Sequence, residues 1–357
     1  MNYFESDKYY IFGAGNTAKF FKSFLDKQNK QVVAFLTSNG GGQLTDIDKV
    51  KIVNLSQGQD KIDTSIPVII AVFNREKNSN INFITGFLKK FNFDKIISPY
   101  EFHNTYSDQL ENWYWLTDKK FYKEHAQKYS DVKNLFDEPK SLDIFVRITD
   151  FLTSFDCNIL PIAEIENQYF PEDINIWNNK GAFLDIGSFD GQTLIDAYRK
   201  YGKMQLTIAY EPDPKNIKLI KDKIENLNIA DQIFFIPCGV WSKTETLKFS
   251  SGAGESSSIQ VNGDITIQCL SLDETLLDVK IGYIKMDIEG AEIDALLGAQ
   301  NTIKKYKPTL AISLYHKPEH LFTIPLLIKS WNLGYKFYIR SHGNNLLETV
   351  LYCVYKR

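Results

Sequence analysis

Apolar runs and amphipathic stretches alternate along the first hundred residues of the chain. Residues 9–12 and 31–36 are short runs rich in β-branched and aromatic side chains, which is typical of buried strands. Between them, residues 17–27 place four apolar side chains on one helical face: Phe20, Phe21, Phe24 and Leu25. The alternation continues with predicted strands at residues 68–73 and 95–97 and a helix at 83–91. Because strands that alternate with helices form parallel sheets, residues 1–105 are predicted to fold as a small Rossmann-like α/β domain.

The pattern changes over residues 106–179. Aromatic and leucine side chains recur there at helical spacing: Leu110, Trp113, Tyr114, Phe121 and Tyr122. Asp118 stands where its carboxylate can cap a helix, and residues 142–151 also have a helical pattern. We therefore predict a mostly helical connector that ends at Pro171 and the polar run of residues 175–180.

A second alternation of strands and helices begins at residue 180. Apolar runs predict five strands, at residues 182–186, 206–210, 233–236, 283–286 and 309–314. The predicted helices lie at residues 193–201, 214–227, 291–306 and 323–331. An inserted hairpin is predicted at residues 245–249 and 265–270, on either side of a mobile Gly/Ser loop at 250–258. A closing antiparallel pair is predicted at residues 335–340 and 348–355.

The composition excludes several classes of protein. A chain of 357 residues is long enough for two domains with substantial cores, and a net charge of −3 gives no basic surface for nucleic acid. No apolar run approaches the roughly 20 residues that span a bilayer, and the N-terminus lacks a signal-peptide pattern. The four cysteines form no closely spaced pair, which argues against a zinc site or a disulfide framework and favours reduced thiols in the cytoplasm.

Residues 182–194, AFLDIGSFDGQTL, indicate a cofactor site. A short strand ends at Asp185, and a turn with Gly187 and Gly191 leads into a helix. The glycines allow a tight turn and the close approach of a ligand to the backbone. A pyrophosphate rests on a helix N-terminus, where a carboxylate at the strand tip is unfavourable. That carboxylate suits instead a cofactor with a cation and an amine, such as S-adenosylmethionine.

Three further residues near this turn are candidate cofactor contacts. Glu211 ends the second strand, where an acid can accept hydrogen bonds from both hydroxyls of a ribose. NAD enzymes and S-adenosylmethionine enzymes share this device, so Glu211 alone does not distinguish them. Thr193 either caps the helix or contacts the carboxylate of the cofactor. Cys238 lies in the turn after the third strand, which flanks the adenine in this topology, although a packing role also explains it.

Residues 285–292, KMDIEGAE, concentrate three carboxylates at a strand-to-helix junction: Asp287, Glu289 and Glu292. Reacting groups in open α/β sheets gather at the carboxyl ends of strands, so Asp287 is expected beside Asp185 and the cofactor. Acids also favour the first turn of a helix, which explains part of their presence. His316 follows the fifth strand and is a candidate general base for an acceptor hydroxyl. The predicted catalytic residues are Asp287, Glu289 and His316.

The first glycine turn, Gly13 and Gly15, has two interpretations. It follows a predicted strand and opens a helix, as in a nucleotide-binding domain, so a nucleotide or nucleotide sugar is a candidate ligand. The glycines also suit plain helix–strand packing. Thr37 and Ser38 stand where an NAD-binding domain has its ribose-binding acid, so a ribose site for NAD is not evident.

Residues 180–314 resemble the FkbM family of S-adenosylmethionine-dependent methyltransferases. The matching segments, in family order, are FLDIGSFDGQTL, AYEPDP, PCGVWS, SLDETL and KMDIEGAEIDALLGAQNTIKKYKPTLAIS. The resemblance implies a seven-stranded class I methyltransferase fold over residues 180–357. It also implies O-methylation of a sugar, a nucleotide sugar or a polysaccharide or secondary-metabolite precursor. By the same resemblance, Asp185, Gly187 and Gly191 line the cofactor pocket, Glu211 holds the ribose, and Asp287, Glu289 and Glu292 face the acceptor.

Two other functions remain open from the sequence. One is an NAD-dependent two-domain oxidoreductase that acts on a sugar, and the other is a non-catalytic nucleotide-binding scaffold. The carboxylates at positions 287, 289 and 292 permit Mg²⁺ but do not demand it, so no metal ligands are predicted. The expected partner is a small-molecule or glycan acceptor.

Overall fold

The chain divides into two compact units, each assembled from three separate segments. The computed structural model describes residues 3–38, 46–57, 62–177, 181–250, 258–259, 263 and 265–355. The first unit comprises residues Met1–Glu124, Arg147–Ala163 and Gly343–Leu347, and the second comprises His125–Val146, Glu164–His342 and Glu348–Arg357. The region predicted as a connector, residues 106–179, is therefore divided between the units. Most of the loop predicted at residues 250–258 lies outside the described residues.

The first unit is built on a largely parallel sheet. Its described strands are β1 (Lys8–Phe12), β2 (Gln31–Thr37), β3 (Asp46–Ile47), β4 (Val50–Asn54), β5 (Val68–Ile70) and β6 (Ile96–Ile97), in the order β3-β4-β2-β1-β5-β6. Only the β3–β4 pair among these strands is antiparallel. The helices are α1 (Asn16–Lys27), α2 (Ile81–Lys90), α3 (Pro99–Thr105) and α4 (Lys119–Glu124). This architecture confirms the predicted Rossmann-like α/β fold, although the short strands β3 and β4 were not predicted.

The apolar face of α1 contacts the sheet as its spacing predicts, with one exception. Phe21, Phe24 and Leu25 are buried in the core of the first unit together with Ile11 of β1. Phe20 lies at the edge of this face and remains 48% exposed. Three of the four side chains therefore form the buried stripe that holds the helix on the sheet.

The second unit contains a seven-stranded sheet. In chain order its strands are β7 (Ala182–Ile186), β8 (Met204–Tyr210), β9 (Ala230–Ile236), β14 (Ile281–Met286), β15 (Thr309–Ser313), β16 (Tyr335–Ser341) and β17 (Thr349–Tyr355). The spatial order is β16-β17-β15-β14-β7-β8-β9, and β17 is antiparallel to both of its neighbours. The remaining neighbours are parallel. The sheet confirms the predicted class I fold, including the closing antiparallel pair.

Helices and a small second sheet complete the described part of this unit. The helices are α5 (Ala126–Lys133), α7 (Gln192–Tyr201), α8 (Pro214–Ile224), α9 (Leu272–Thr275), α10 (Glu292–Leu297), α11 (Gln300–Tyr306) and α12 (His320–Ser330), while α6 (Pro139–Ser154) contributes residues to both units. The small sheet consists of β10 (Gly239–Val240), β11 (Glu245–Ser250), β12 (Ser258–Ile259) and β13 (Ile265–Leu270). Antiparallel pairing of β11 with β13 confirms the predicted hairpin.

The single helix predicted at residues 291–306 was wrong, because the chain forms α10 and α11 with a break at Gly298. The carbonyl of Gly298 accepts hydrogen bonds from the backbone N–H of Asp273 at 2.8 Å and from the hydroxyl of Ser271 at 2.9 Å. A Cβ atom on Gly298 would lie 2.0 Å from the carbonyl oxygen of Trp241. Tertiary contacts therefore replace the helical bond at this point. No helix in the described part of the chain is long and apolar enough to cross a membrane.

Arg340 of β16 is fully buried and ties the segment before β7 to the sheet. Its Nη2 lies 2.8 Å from Oε1 of Glu138 and 2.8 Å from Oδ2 of Asp173. Nη1 donates to the hydroxyl of Ser141 at 2.9 Å. Because a buried cation needs charged or polar partners, Glu138 and Asp173 are part of the second unit although they precede its first strand.

Candidate functional site

The carboxyl ends of four neighbouring parallel strands bring the predicted site residues to one edge of the sheet. Asp185 lies in β7, Glu211 follows β8, Asp287 follows β14, and His316 lies just beyond β15. Since β15, β14, β7 and β8 are adjacent in that order, their carboxyl ends form one continuous edge. In open α/β sheets this edge is where ligands bind.

The glycine turn after β7 is built as predicted, and packing accounts for both glycines. Gly187 and Gly191 have φ angles of +79° and +78°, which are favourable only for glycine. A Cβ on Gly187 would lie 1.9 Å from the carbonyl oxygen of Asp287, and a Cβ on Gly191 would lie 3.0 Å from Ile220. Gly187 thus lets the loop after β7 pack directly on the loop after β14. Contact with a cofactor remains a prediction for both residues.

Thr193 does not cap the helix that follows this turn. The cap position of α7 is Gly191, and the N–H of Gln192 donates instead to Oδ1 of Asp190 at 3.0 Å. Thr193 is half-buried in the first turn of α7. Of its two predicted roles, only contact with a cofactor remains.

Asp185 is fully buried and paired with a lysine that sequence analysis did not single out. Oδ1 of Asp185 lies 3.1 Å from Nζ of Lys285, whose side chain is 3% exposed. The two residues are register partners on the adjacent strands β7 and β14. Burial alone would lower the pKa of Lys285, but the carboxylates of Asp185 and Asp287 outweigh burial and raise it. The charge of Asp185 is therefore already compensated within the protein.

Glu211 is a buried carboxylate that joins two loops. Its Oε2 accepts the N–H of Phe189 in the glycine turn at 2.9 Å. Its Oε1 accepts the N–H of Asp213 at 2.9 Å and the side-chain amide of Asn216 at 3.3 Å. Burial raises the pKa of Glu211, and these donors oppose that rise. Among the described residues, Oε2 accepts one hydrogen bond, which leaves a lone pair for a further donor.

Cys238 lies beyond β9, in a turn at the same edge of the sheet. It is half-buried, and its N–H donates to the carbonyl of Ile236 at 2.8 Å. Burial raises the pKa of the thiol, so the thiol does not behave as an activated nucleophile. A packing or cofactor-contacting role is consistent with this position.

Asp287 is held by two tyrosines. Its Oδ2 accepts a hydrogen bond from the hydroxyl of Tyr169 at 2.6 Å, and its Oδ1 accepts one from the hydroxyl of Tyr315 at 3.2 Å. Its side chain is 21% exposed, so the carboxylate still reaches the surface of the site. Neither tyrosine was predicted from the sequence.

His316 lies between carboxylates on both sides of its ring. Nδ1 lies 2.7 Å from Oε1 of Glu292, while Nε2 lies 3.3 Å from Oδ1 of Asp287 and 3.7 Å from Oε2 of Glu289. Burial alone would lower the pKa of His316, but the charges of Glu292 and Glu289 outweigh it and raise the pKa to about 10. A protonated imidazole at neutral pH cannot accept a proton, so this cluster does not favour His316 as the general base.

Glu292 is buried, whereas the family resemblance implied that it faces the acceptor. Its side chain is fully buried, and Oε1 accepts the N–H of Ile288 at 2.9 Å in addition to His316. Burial alone would raise the pKa of Glu292, but His316 and His320 outweigh it and lower the pKa to about 2. Glu292 therefore fixes the turn after β14 and the ring of His316.

Glu289 lies at the centre of that turn in a left-handed backbone conformation. Its φ angle is +54°, which is uncommon for a residue other than glycine and often marks a functional site. The side chain is 22% exposed. Burial raises the pKa of Glu289 to about 8, against the opposing charge of His316. Glu289 therefore exchanges a proton close to neutral pH.

Among the described residues, Asp287, Glu292 and His316 form a group whose ligand atoms lie within 4.8 Å of one another. Mg²⁺ prefers an all-oxygen octahedral set. This group supplies one nitrogen ligand, and both ring nitrogens of His316 are already directed at carboxylates. With an imidazole among its three ligand groups, this set does not match the all-oxygen set that Mg²⁺ prefers.

The glycine turn of the first unit supports packing more directly than ligand binding. Gly13 has a φ angle of +122°, and a Cβ there would lie 2.9 Å from the carbonyl oxygen of Ala71. Gly15 is the cap residue of α1 and has open space where a Cβ would lie. A nucleotide or nucleotide sugar at this turn stays a prediction.

Sequence reasoning missed Lys285 and Tyr169, and only Lys285 left a signal. A lysine inside a run of six buried strand residues is costly unless an acid lies beside it, and Asp185 was available on the neighbouring strand. Tyr169 is separated from Asp287 by 118 positions, so no local pattern links them.

A family model of the methyltransferase FkbM domain matches residues 185–337. These residues are therefore a methyltransferase FkbM domain, which confirms the resemblance carried by the sequence motifs. The match includes the glycine turn, Glu211, the carboxylates after β14 and His316. Tyr169 lies before it.

Solved structures include one that is similar over nearly the whole chain. It is the crystal structure of methyltransferase FkbM from Methylobacillus flagellatus KT, which has a TM-score of 0.76, 18% identity, and coverage of 98% of this chain and 90% of that chain. At this identity the similarity establishes the fold, and it includes the first unit.

Two further solved structures are less similar. An rRNA methylase from Streptococcus thermophilus has a TM-score of 0.30 and 13% identity, covering 51% of this chain and 89% of that chain. A SAM-dependent methyltransferase from Aquifex aeolicus has a TM-score of 0.29 and 13% identity, covering 63% and 97%. TM-scores this low support no conclusion about this chain. Comparison with curated proteins gave no match.

Proposed function

We propose that this chain, whose residues 185–337 are a methyltransferase FkbM domain, transfers a methyl group from S-adenosylmethionine to a hydroxyl of a sugar, nucleotide sugar or related precursor. The observation that carries the proposal is the contact between Glu211 and the glycine turn, through Oε2 and the N–H of Phe189 at 2.9 Å. An acid at the end of the second strand, beside a glycine turn after the first, is the arrangement that binds the ribose of an adenosine cofactor.

The cofactor side of the proposed site is defined by Glu211 and by net negative charge. Glu211 would accept hydrogen bonds from the ribose hydroxyls, and Thr193 and Cys238 would contact the cofactor from the neighbouring turns. Three carboxylates act on the single ammonium of Lys285, those of Asp185, Asp287 and Glu211. Their surplus negative charge favours a cation at this edge of the sheet. When bound, S-adenosylmethionine supplies an electrophilic methyl group on a positively charged sulfur.

The acceptor side is defined by Asp287 and Glu289. Asp287 would accept the hydrogen bond of the acceptor hydroxyl and orient its oxygen for attack, because its carboxylate is held in place by Tyr169 and Tyr315. Glu289 would take the hydroxyl proton as the oxygen–methyl bond forms, since its pKa of about 8 is close to neutral pH. His316 holds both carboxylates through its positive charge.

Calorimetry tests the cofactor. Wild-type protein is expected to bind S-adenosylhomocysteine and not NADH. Glu211→Gln should weaken binding of S-adenosylhomocysteine by about tenfold or more, since hydrogen bonds to a charged acceptor contribute about 1.5–3 kcal/mol. Glu225→Gln, an exposed carboxylate change in the same unit, is the matched control. Binding of NADH alone would contradict the proposal and favour the oxidoreductase.

Methyl transfer tests the reaction and the acceptor class. Protein is incubated with methyl-labelled S-adenosylmethionine and a panel of sugars, nucleotide sugars and polysaccharide fragments, and the products are identified by mass and by the chemical shift of the new methyl group. An O-methylated sugar is the expected product. N-methylation would contradict the assignment of the acceptor. Cofactor binding without transfer to any member of the panel would favour a non-catalytic scaffold.

A further inference from the structure

Tyr169 lies in the segment that precedes β7 and contacts the predicted acceptor side of the site. Its side chain is buried, with 5% of the residue exposed, and its hydroxyl donates to Oδ2 of Asp287 at 2.6 Å. A hydrogen bond from a neutral hydroxyl to a carboxylate is stronger than one between neutral groups, and stronger again where water is excluded. Tyr169 is therefore well placed to fix the orientation of Asp287.

The backbone of Tyr169 is held on both sides. Its N–H donates to the hydroxyl of Tyr352 at 3.1 Å, and its carbonyl accepts a hydrogen bond from the hydroxyl of Tyr283. Its φ angle is +66°, a left-handed conformation that is unfavourable for an aromatic residue. Such a conformation persists only where the surrounding structure imposes it. These contacts fix the backbone of Tyr169 so that its hydroxyl lies against the carboxylate of Asp287.

The ring of Tyr169 also reaches the ion pair at the tip of β7. Nζ of Lys285 lies 5.2 Å from the centre of the ring and 3.1 Å from Oδ1 of Asp185. Tyr169 thus contacts Lys285 in β14 and Asp287 directly after it, and it reaches Asp185 of β7 only through the ammonium of Lys285. Burial raises the pKa of its hydroxyl well above the ordinary value, and the charge of Asp287 adds to that rise. The hydroxyl therefore stays protonated and able to donate at neutral pH.

We propose that Tyr169 is a positioning residue of the methyltransferase site, supplied by a segment outside the FkbM domain, and that it holds the carboxylate of Asp287 in the orientation that binds the acceptor hydroxyl. This inference rests on the proposed function. It assigns an active-site role to a residue 16 positions before the matched region begins.

Tyr169→Phe tests the role, because it removes only the hydroxyl. We expect kcat/KM for the acceptor to fall about tenfold to a hundredfold, as for the loss of one hydrogen bond to a charged group. The affinity for S-adenosylhomocysteine should stay within about twofold of wild type, because this hydroxyl is not expected to contact the cofactor. The matched control is Tyr335→Phe, which removes a hydroxyl bonded to the carbonyl of Pro308 at the amino end of β15. It should cost similar stability and leave kcat/KM unchanged.

A second measurement tests the contact without turnover. In protein labelled with ¹³C at the phenolic carbon of every tyrosine, the resonance of Tyr169 is identified as the one that is missing from the spectrum of Tyr169→Phe. Asp287→Asn should shift that resonance, since it removes the charge that the hydroxyl contacts. Asp278→Asn, which changes a carboxylate that is 96% exposed, should not shift it.

The outcomes separate this inference from the proposed function. If the Tyr169→Phe variant turned over the acceptor as fast as the wild-type protein, the positioning role alone would be overturned. If the chemical shift of the Tyr169 resonance were unchanged in Asp287→Asn, the contact itself would be overturned. Wild-type protein that binds S-adenosylhomocysteine but methylates nothing in the panel would overturn the proposed function, and the role of Tyr169 with it.

Discussion

Nδ1 of His316 donates to Oε1 of Glu292 at 2.7 Å, and both side chains are removed from solvent. The pair joins the loop after β15 to the first turn of α10. A buried charged pair contributes little net stability relative to an apolar pair. Removing one partner is nevertheless destabilising, because it leaves the other charge buried without a partner. The pair therefore controls both the stability of the site and its response to pH.

Glu292→Gln should lower the free energy of unfolding by about 3–5 kcal/mol, as is typical when one partner of a buried ion pair is lost. Urea denaturation followed by circular dichroism measures the change. Glu225→Gln, at an exposed position, should change it by less than about 0.5 kcal/mol. Equal effects of the two variants would show that Glu292 does not carry the buried charge.

The wild-type protein should become less stable at alkaline pH, because His316 loses its proton there. The folded state raises the pKa of this imidazole from 6.5 to about 10, so its contribution is fully present below pH 6.5 and is lost as the pH rises through 10. His316→Gln should be less stable than wild type at pH 7, and the difference should shrink as the pH approaches 10. A difference that is constant between pH 7 and 10.5 would contradict the raised pKa.

Asp287→Asn should abolish methyl transfer while largely sparing cofactor binding. The amide keeps the size of the side chain, but it presents an N–H₂ group in place of one acceptor oxygen and carries no charge. Initial rates and calorimetry with S-adenosylhomocysteine separate the two effects. Full activity of this variant would remove Asp287 from the proposed acceptor site.

The rate of methyl transfer should depend on the ionisation of Glu289. Because only the carboxylate form accepts a proton and its pKa is about 8, kcat should fall about tenfold for each pH unit below 8. Glu289→Gln should lower the rate and remove this dependence. An unchanged pH profile in Glu289→Gln would assign the dependence to another group.

Gly187→Ala should be far more destabilising than Gly202→Ala, although both glycines have a φ angle of +79°. A methyl group added at Gly202 would enter open space, so its substitution reports the conformational strain alone, about 1 kcal/mol. At Gly187 the added Cβ would also lie 1.9 Å from the carbonyl oxygen of Asp287. Thermal unfolding of the two variants gives the comparison. Similar melting temperatures would mean that the loops after β7 and β14 can move apart with little loss of stability.

The fold could be predicted largely from the sequence because its strands are short apolar runs and its helices have clear amphipathic spacing. The family resemblance implied the seven-stranded class I fold, and the closing antiparallel pair was predicted from the two runs at residues 335–340 and 348–355. The break at Gly298 could not be predicted, because the donors of Ser271 and Asp273 compete with the helix itself for the carbonyl of Gly298. Local periodicity does not report such competition.

The candidate site was predicted in position but not in electrostatics. The residues after β7, β8, β14 and β15 meet at one edge, as strand topology requires. Which charges cancel depends on side-chain packing across strands. Asp185 was expected to suit a cationic cofactor, yet Lys285 of the neighbouring strand pairs with it. His316 was interpreted as a base, yet carboxylates on both sides keep it protonated.

The burial of Arg340 has a practical consequence for anyone who wishes to shorten this protein. A fragment that begins at residue 180 would retain the guanidinium but lose the carboxylates of Glu138 and Asp173 that neutralise it. Such a fragment should be recovered mainly as aggregate, even though every strand of the catalytic sheet is present. The smallest well-behaved catalytic piece must therefore start upstream of Glu138, well before the first residue that the methyltransferase motifs would suggest.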